Sequence, residues 1–147
     1  MRRIIKIIVL ALAVIFIAIQ FVRIDRTNPP VDPKMSIEAQ MNVPADVQML
    51  LARSCSDCHS NKTVYPWYTQ VAPVSWWLRE HIDDGRRHLN FSEWGKYDAD
   101  KRTRKLEEIC EEIRSHAMPL PSYLWMHDSV LSDTEIDAIC KWTSNAQ

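Results

Sequence analysis

Cys55, Cys58 and His59 stand in the run Cys55-Ser56-Asp57-Cys58-His59. Two thiols three positions apart, followed at once by an imidazole, are the arrangement that attaches c-type haem. The chemistry explains the spacing. The thiols can reach the two vinyl groups on one porphyrin edge and form thioethers, and the next residue offers its imidazole to the iron as an axial ligand. Two other chemistries use the same residue types: half of a zinc site completed by another histidine, and a thiol-redox pair. Against them, the chain has no second C-x-x-C, and no strand pattern precedes the motif as a thioredoxin fold requires. A free pair in an exported chain also tends to oxidise. One covalent haem c on Cys55 and Cys58, with His59 as the proximal iron ligand, is therefore expected.

The distal ligand is expected from Met118, 59 residues after His59 in the loop Met118-Pro119-Leu120-Pro121. Methionine opposite histidine raises the reduction potential of haem iron. The flanking prolines hold the sulfur with little entropy to lose. The competing readings are a methionine that fills the core, ligation by Met126, His127, His81, His88 or His116, and an open site. Trp67, Tyr68, Trp76, Trp77, Trp94 and Trp125 are candidates for the haem pocket or the ordinary core. Arg79, Arg86 and Arg87 are candidate propionate partners or solvated surface charges.

These residues must be positioned by a chain of 147 residues, long enough for one domain with an appendage. Ile4 to Val22 is an apolar run broken only by Lys6 and Gln20, and Arg2 and Arg3 precede it. Its length is near that of a membrane-crossing helix, and the basic flank predicts a cytoplasmic N-terminus. Residues 1–23 are thus expected to be a transmembrane anchor, with a cleaved secretory signal as the rival. Either one exports the remainder to the outer (periplasmic) side of the cytoplasmic membrane, where haem is attached. Residues 24–43, with Asn28-Pro29-Pro30-Val31-Asp32-Pro33, read as a semi-rigid tether, and residues 44–147 as the haem-binding domain.

Beyond Arg23 the chain carries 14 Lys+Arg against 19 Asp+Glu. That balance excludes nucleic acid as a partner, which needs a basic footprint. Four helices are expected in this part: from Pro44 to about Ser54, from Pro73 to Leu89, from Asp98 or Asp100 to about Ser115, and from a capping box at Ser132 and Glu135 onward. The third places Leu106, Ile109, Cys110 and Ile113 on one face, and the last places Ile136, Ile139 and Cys140. Cys110 and Cys140 are a candidate disulfide across those helices, or two buried thiols; spacing alone does not decide. No alternating strand pattern appears, so the fold class is all-α.

Several runs carry a family resemblance: Cys55-Ser-Asp-Cys-His-Ser-Asn61, Pro66-Trp67-Tyr68, Val71-Ala-Pro-Val-Ser-Trp-Trp-Leu78, His88-Leu-Asn-Phe-Ser-Glu-Trp94, Met118-Pro-Leu-Pro-Ser-Tyr123, and Leu131-Ser132 to Trp142. Together they resemble the bacterial haem-binding domain family of small exported proteins with a single C-x-x-C-H motif. The resemblance covers roughly Met35 to Thr143. It implies a cytochrome c-like layout and covalent haem with His59 proximal. Cys110 and Cys140 lie outside what it carries over.

The expected protein is a membrane-anchored monohaem c-type cytochrome with His/Met ligation. It would be an electron carrier rather than an enzyme, since a peroxidase needs open iron and a distal acid/base group such as His116 or His127. Its expected contacts are the lipid bilayer, through the N-terminal helix, and membrane redox proteins or another cytochrome. An acidic domain would be steered to a basic patch on such a partner. The alternative is a haem-based sensor or gas-binding module with a labile sixth ligand. Oligomeric state is not legible.

Overall fold

Helices make all the regular structure of the computed structural model, which describes residues 1–146. In chain order the α-helices are α1 (Arg2–Ile19), α2 (Ile37–Gln40), α3 (Ala45–Ser54), α4 (Ser56–His59), α5 (Val74–His88), α6 (Ala99–Arg114), α7 (Pro121–Leu124) and α8 (Asp133–Asn145). Single 3₁₀ turns occupy Pro33–Met35, Trp67–Gln70 and Phe91–Lys96.

Local chemistry accounts for the long elements. The Asp98 side chain accepts from the Lys101 amide and starts α6. Ser132 and Glu135 form a reciprocal capping box that starts α8. α6 then buries Leu106, Ile109 and Ile113, and α8 buries Ile136, Ile139, Cys140 and Trp142. These two faces meet Val47 and Leu51 of α3, Ile37 of α2, Val43, and Phe91 and Trp94 of the last 3₁₀ segment. Trp94 is 0 % exposed and Ile37 1 % exposed, so they lie at the centre of this core. A disulfide joins Cys110 of α6 to Cys140 of α8, with Cα atoms 4.9 Å apart. α5 stands apart from this core and packs against α4.

The expected transmembrane helix is corrected by the structure. α1 has 18 residues, and Arg2, Arg3 and Lys6 lie inside it. Its uncharged part, Ile7 to Ile19, spans only about 20 Å at 1.5 Å per residue, against a hydrocarbon core of about 30 Å. Among the described residues no helix is long and apolar enough to cross a membrane. The helix ends where Gln20 turns onto the domain. The Gln20 side-chain amide donates to the Ala72 carbonyl and its oxygen accepts from the Ala72 amide, both at 3.0 Å. Trp76 Nε1 donates to the Val22 carbonyl at 2.9 Å, so Phe21 and Val22 fall outside the helix.

The stretch expected as a tether is also held to the domain. Asn28 Nδ2 donates to the Thr63 carbonyl at 2.9 Å, and Asn61 Nδ2 to the Pro30 carbonyl at 3.2 Å. Arg86 Nη2 donates to Asn28 Oδ1 at 2.8 Å. Ile37 and Val43 enter the core. The prolines do keep residues 24–32 out of regular helix, but their neighbours find fixed partners.

The disulfide closes a loop with a sequence separation of 30. Closure of such a loop in the unfolded chain is worth about 3–4 kcal/mol. The double variant Cys110→Ser/Cys140→Ser is expected to lose about that much stability in chemical denaturation. Its thermal midpoint should fall by roughly 10 °C.

Candidate functional site

α3 ends at Ser54, and Cys55 leaves helical geometry (φ −129°, ψ −38°) before the single turn of α4 carries Cys58 and His59. Short polar bonds fix this turn. Ser56 Oγ donates to the Leu51 carbonyl at 3.1 Å, and Ser60 Oγ to the Ser56 carbonyl at 2.7 Å. Thr63 Oγ1 donates to the Asp57 carbonyl at 2.5 Å, and the Val64 amide donates to Asp57 Oδ1 at 3.0 Å. Arg86 of α5 completes the clamp, its Nε donating to the Ser60 carbonyl and its Nη2 to Thr63 Oγ1.

The orientation of His59 follows from its partners. Nδ1 lies 3.0 Å from the Gly85 carbonyl oxygen and 3.1 Å from that of Leu89. Carbonyl oxygens only accept, so Nδ1 carries the proton and donates. The lone pair is therefore on Nε2. Burial holds the imidazole below its ordinary range, partly offset by the two carbonyl bonds. The ring is thus neutral, with a fixed tautomer, as a metal-ligating histidine requires.

Gly85 lets α5 come this close. A Cβ there would meet the Cys58 carbonyl oxygen at 2.7 Å. It is one of only two glycines in the chain. Glycine in a helix interior costs about 1 kcal/mol relative to alanine, so the contact is what its presence serves.

Cys55, Cys58, His59 and Met118 all line one cavity of about 450 Å³. Ile109 and Ile113 of α6 wall it together with Leu89 and Phe91, so the cavity is continuous with the core. Charged side chains from the facing helices, among them Asp84, Lys105, Glu108 and Glu112, also border it. Burial, and then the neighbouring Cys58, push the Cys55 thiol up to about 12. Burial and the Asp57 charge push Cys58 up to about 11, with Arg86 opposing. Thiols held so far above neutrality are not the activated thiolates of a redox pair. Among the described residues no group of three or more His, Cys, Asp or Glu is arranged to hold a metal ion, so the half zinc site has no second half.

Met118 reaches the cavity through the way α6 ends. His116 adopts φ 57°, the left-handed conformation that stops helices. The amides of Ala117 and Met118 both donate to the Glu112 carbonyl, at 3.0 and 3.1 Å. The chain thereby turns back, and Met118, Pro119 and Leu120 join the cavity wall, followed by Tyr123 of α7.

Other sequence candidates fare differently. His81 and His88 line the cavity, whereas His116, Met126 and His127 do not. None of the six tryptophans lines it; Trp94 is core, and Trp67 and Trp125 are exposed. The three arginines named as propionate partners are committed elsewhere. Arg79 pairs with Asp83, Arg87 with Asp84, and Arg86 holds the Cys55–His59 turn. Sequence reasoning gave no role to Gly85, Lys105 or Tyr123. The scarcity of glycine was a usable signal for the first, and Tyr123 closes one of the runs that carry the family resemblance; nothing local pointed to Lys105.

Gly85→Ala is expected to force α4 and α5 apart. An overpacked contact of this kind costs about 1–3 kcal/mol, which a denaturant titration would register.

This donor set suits a covalently held haem: two protonated thiols, an imidazole presenting Nε2 and a thioether, around one largely apolar cavity. No curated protein and no solved structure matches the chain. The family model described as a haem-binding domain matches residues 14–145, taking in the strapped N-terminal stretch as well as the cavity. The chain belongs to the haem-binding domain family.

Proposed function

We propose that this haem-binding protein is a monohaem c-type cytochrome that carries single electrons. In this reading Cys55 and Cys58 would hold the haem as thioethers, and His59 Nε2 and the Met118 sulfur would ligate its iron. The observation that carries it is the convergence of these four side chains on one cavity, although 59 residues separate His59 from Met118. When bound, the haem supplies a one-electron iron couple.

The chain's own residues do the rest. The carbonyls of Gly85 and Leu89 orient the proximal imidazole and raise its basicity as a ligand. Ile109, Ile113 and Phe91 give the site an apolar wall. A thioether ligand raises the potential.

The working compartment in this proposal is oxidising and lies outside the cytoplasmic membrane. The Cys110–Cys140 disulfide supports it, since such bonds persist in oxidising surroundings. The partner is another redox protein. The acidic balance beyond Arg23 favours one with a basic docking face, and the association should weaken with salt.

A second reading, a gas-binding or sensing module, is favoured by one feature: α7, next to Met118, buries none of its residues. Spectra of Met118→Ala separate the two readings. For the electron carrier, the wild-type ferric protein shows the far-red Met–iron band, and the variant loses it, has a lower potential and binds carbon monoxide when reduced. A wild type without that band that already binds carbon monoxide overturns the carrier in favour of the sensor. For the attachment, Cys55→Ala/Cys58→Ala should abolish haem staining on a denaturing gel, while the wild type retains it. A wild-type band that does not stain would refute covalent attachment.

A further inference from the structure

We propose that Tyr123 is a positioning residue, its hydroxyl latching the Met118–Leu124 segment onto the Cys55–His59 turn through Asp57. The proposal rests on the reading of Met118 as the distal ligand and says what holds that ligand in place.

The latch is a hydrogen bond of 2.9 Å from the Tyr123 hydroxyl to Asp57 Oδ2. It ties the two ends of the site together directly. Asp57 lies between the two attachment cysteines, and Tyr123 lies five residues after Met118. The other carboxylate oxygen of Asp57 accepts the Val64 amide, so both of its oxygens are engaged. Asp57 is thus a fixed post rather than a mobile surface charge. Burial and the Asp57 charge keep the Tyr123 phenol well above its ordinary range, so it remains a donor.

Packing against the core reaches Met118 but leaves the rest of the segment largely to other contacts. α7 buries none of its four residues, and Trp125 and Met126 just beyond it are 82 % and 57 % exposed. The segment is held instead by a polar chain with two footings. His127 stacks on the Tyr123 ring, with centroids 4.0 Å apart and planes at 12°. Its Nδ1 donates to the Tyr123 carbonyl at 3.0 Å, which leaves Nε2 to accept from the Tyr68 hydroxyl at 3.2 Å. Asp57 is the first footing and Tyr68 the second. Only the first reaches the attachment turn, and Tyr123 itself lines the cavity beside Met118.

Removing one hydrogen bond to a charged acceptor should therefore loosen the segment without unfolding the domain. The full-length, haem-loaded protein carrying Tyr123→Phe keeps the ring and its stacking but loses the hydroxyl. Two quantities are measured: hydrogen exchange at the amides of Leu124 and Met126, which bond back to Leu120 and Tyr123, and the rate at which added imidazole displaces the sixth ligand of the ferric haem. Both should rise by on the order of tenfold or more, the scale of a charged hydrogen bond. Asp57→Ala, which also frees the Val64 amide, should raise both at least as much, and the double variant no more than Asp57→Ala alone. Unchanged exchange in Tyr123→Phe overturns the latch. Raised exchange with an unchanged imidazole rate overturns its hold on Met118. Met118→Ala tests the ligation reading separately: if it leaves the far-red absorption and the imidazole rate unaltered, that reading fails, while the exchange measurement still decides the latch.

Discussion

The docking of His59 on the C-terminal end of α5 is the contact on which the rest of the site depends. Helix ends leave carbonyls without intrahelical partners. Here the Leu89 carbonyl lies just past the helix, and the Gly85 carbonyl shares its two lone pairs between the Leu89 amide and the imidazole. That single engagement settles the proton on Nδ1 and the lone pair on Nε2. It also requires backbone to approach backbone, because the Gly85 Cα sits against the Cys58 carbonyl. A side chain on α5 at this point would tilt the imidazole and both thiols together.

A helical turn as short as α4 has little stability of its own. Its position is maintained by Arg86, Thr63, Asn61 and Asn90, and from further away by Asn28 and Pro30 of the N-terminal stretch. Asn61 is 3 % exposed, and its amide oxygen accepts from Asn90 while its backbone amide donates to Ser92. A network this complete rigidifies because each member would otherwise bear a buried, unsatisfied group. The family match beginning at residue 14 agrees with a domain whose N-terminal strap is part of its fold.

Local patterns were legible in the sequence, and long-range partners were not. The Cys55–His59 turn, the capping box at Ser132 and the apolar faces of α6 and α8 each depend on residues within a turn or two of each other, and the capping box and both faces are found where spacing puts them. Met118 was reachable for a related reason: prolines restrict its loop whatever surrounds it. The N-terminal run misled because a hydropathy reading counts apolar residues. It does not register that Arg2, Arg3 and Lys6 share the helix or that Gln20 ends it by bonding Ala72. Arg86 looked like any surface arginine until Ser60, Thr63 and Asn28 were brought to it from three separate stretches. The tryptophans were ambiguous because an indole serves a core or a cofactor pocket equally well, and only the complete burial of Trp94 in the core, on a segment packed against α2, assigns it.

α6 joins these parts into a site with two unequal sides. Its apolar face is core on one stretch and cavity wall on another, with Ile109 and Ile113 serving both. The disulfide at Cys110 fastens it to α8, so the helix that presents Met118 cannot drift from the core. Beyond the turn at His116 Met118 still rests against the core, and after it α7 buries none of its residues and polar contacts take over. The proximal side is thus built into helix packing, and the distal side is held by bonds that can open one at a time. In the proposed electron carrier this division would keep the imidazole geometry constant. Adjustment at the proposed Met118 ligand would be left to a segment whose opening does not disturb the core.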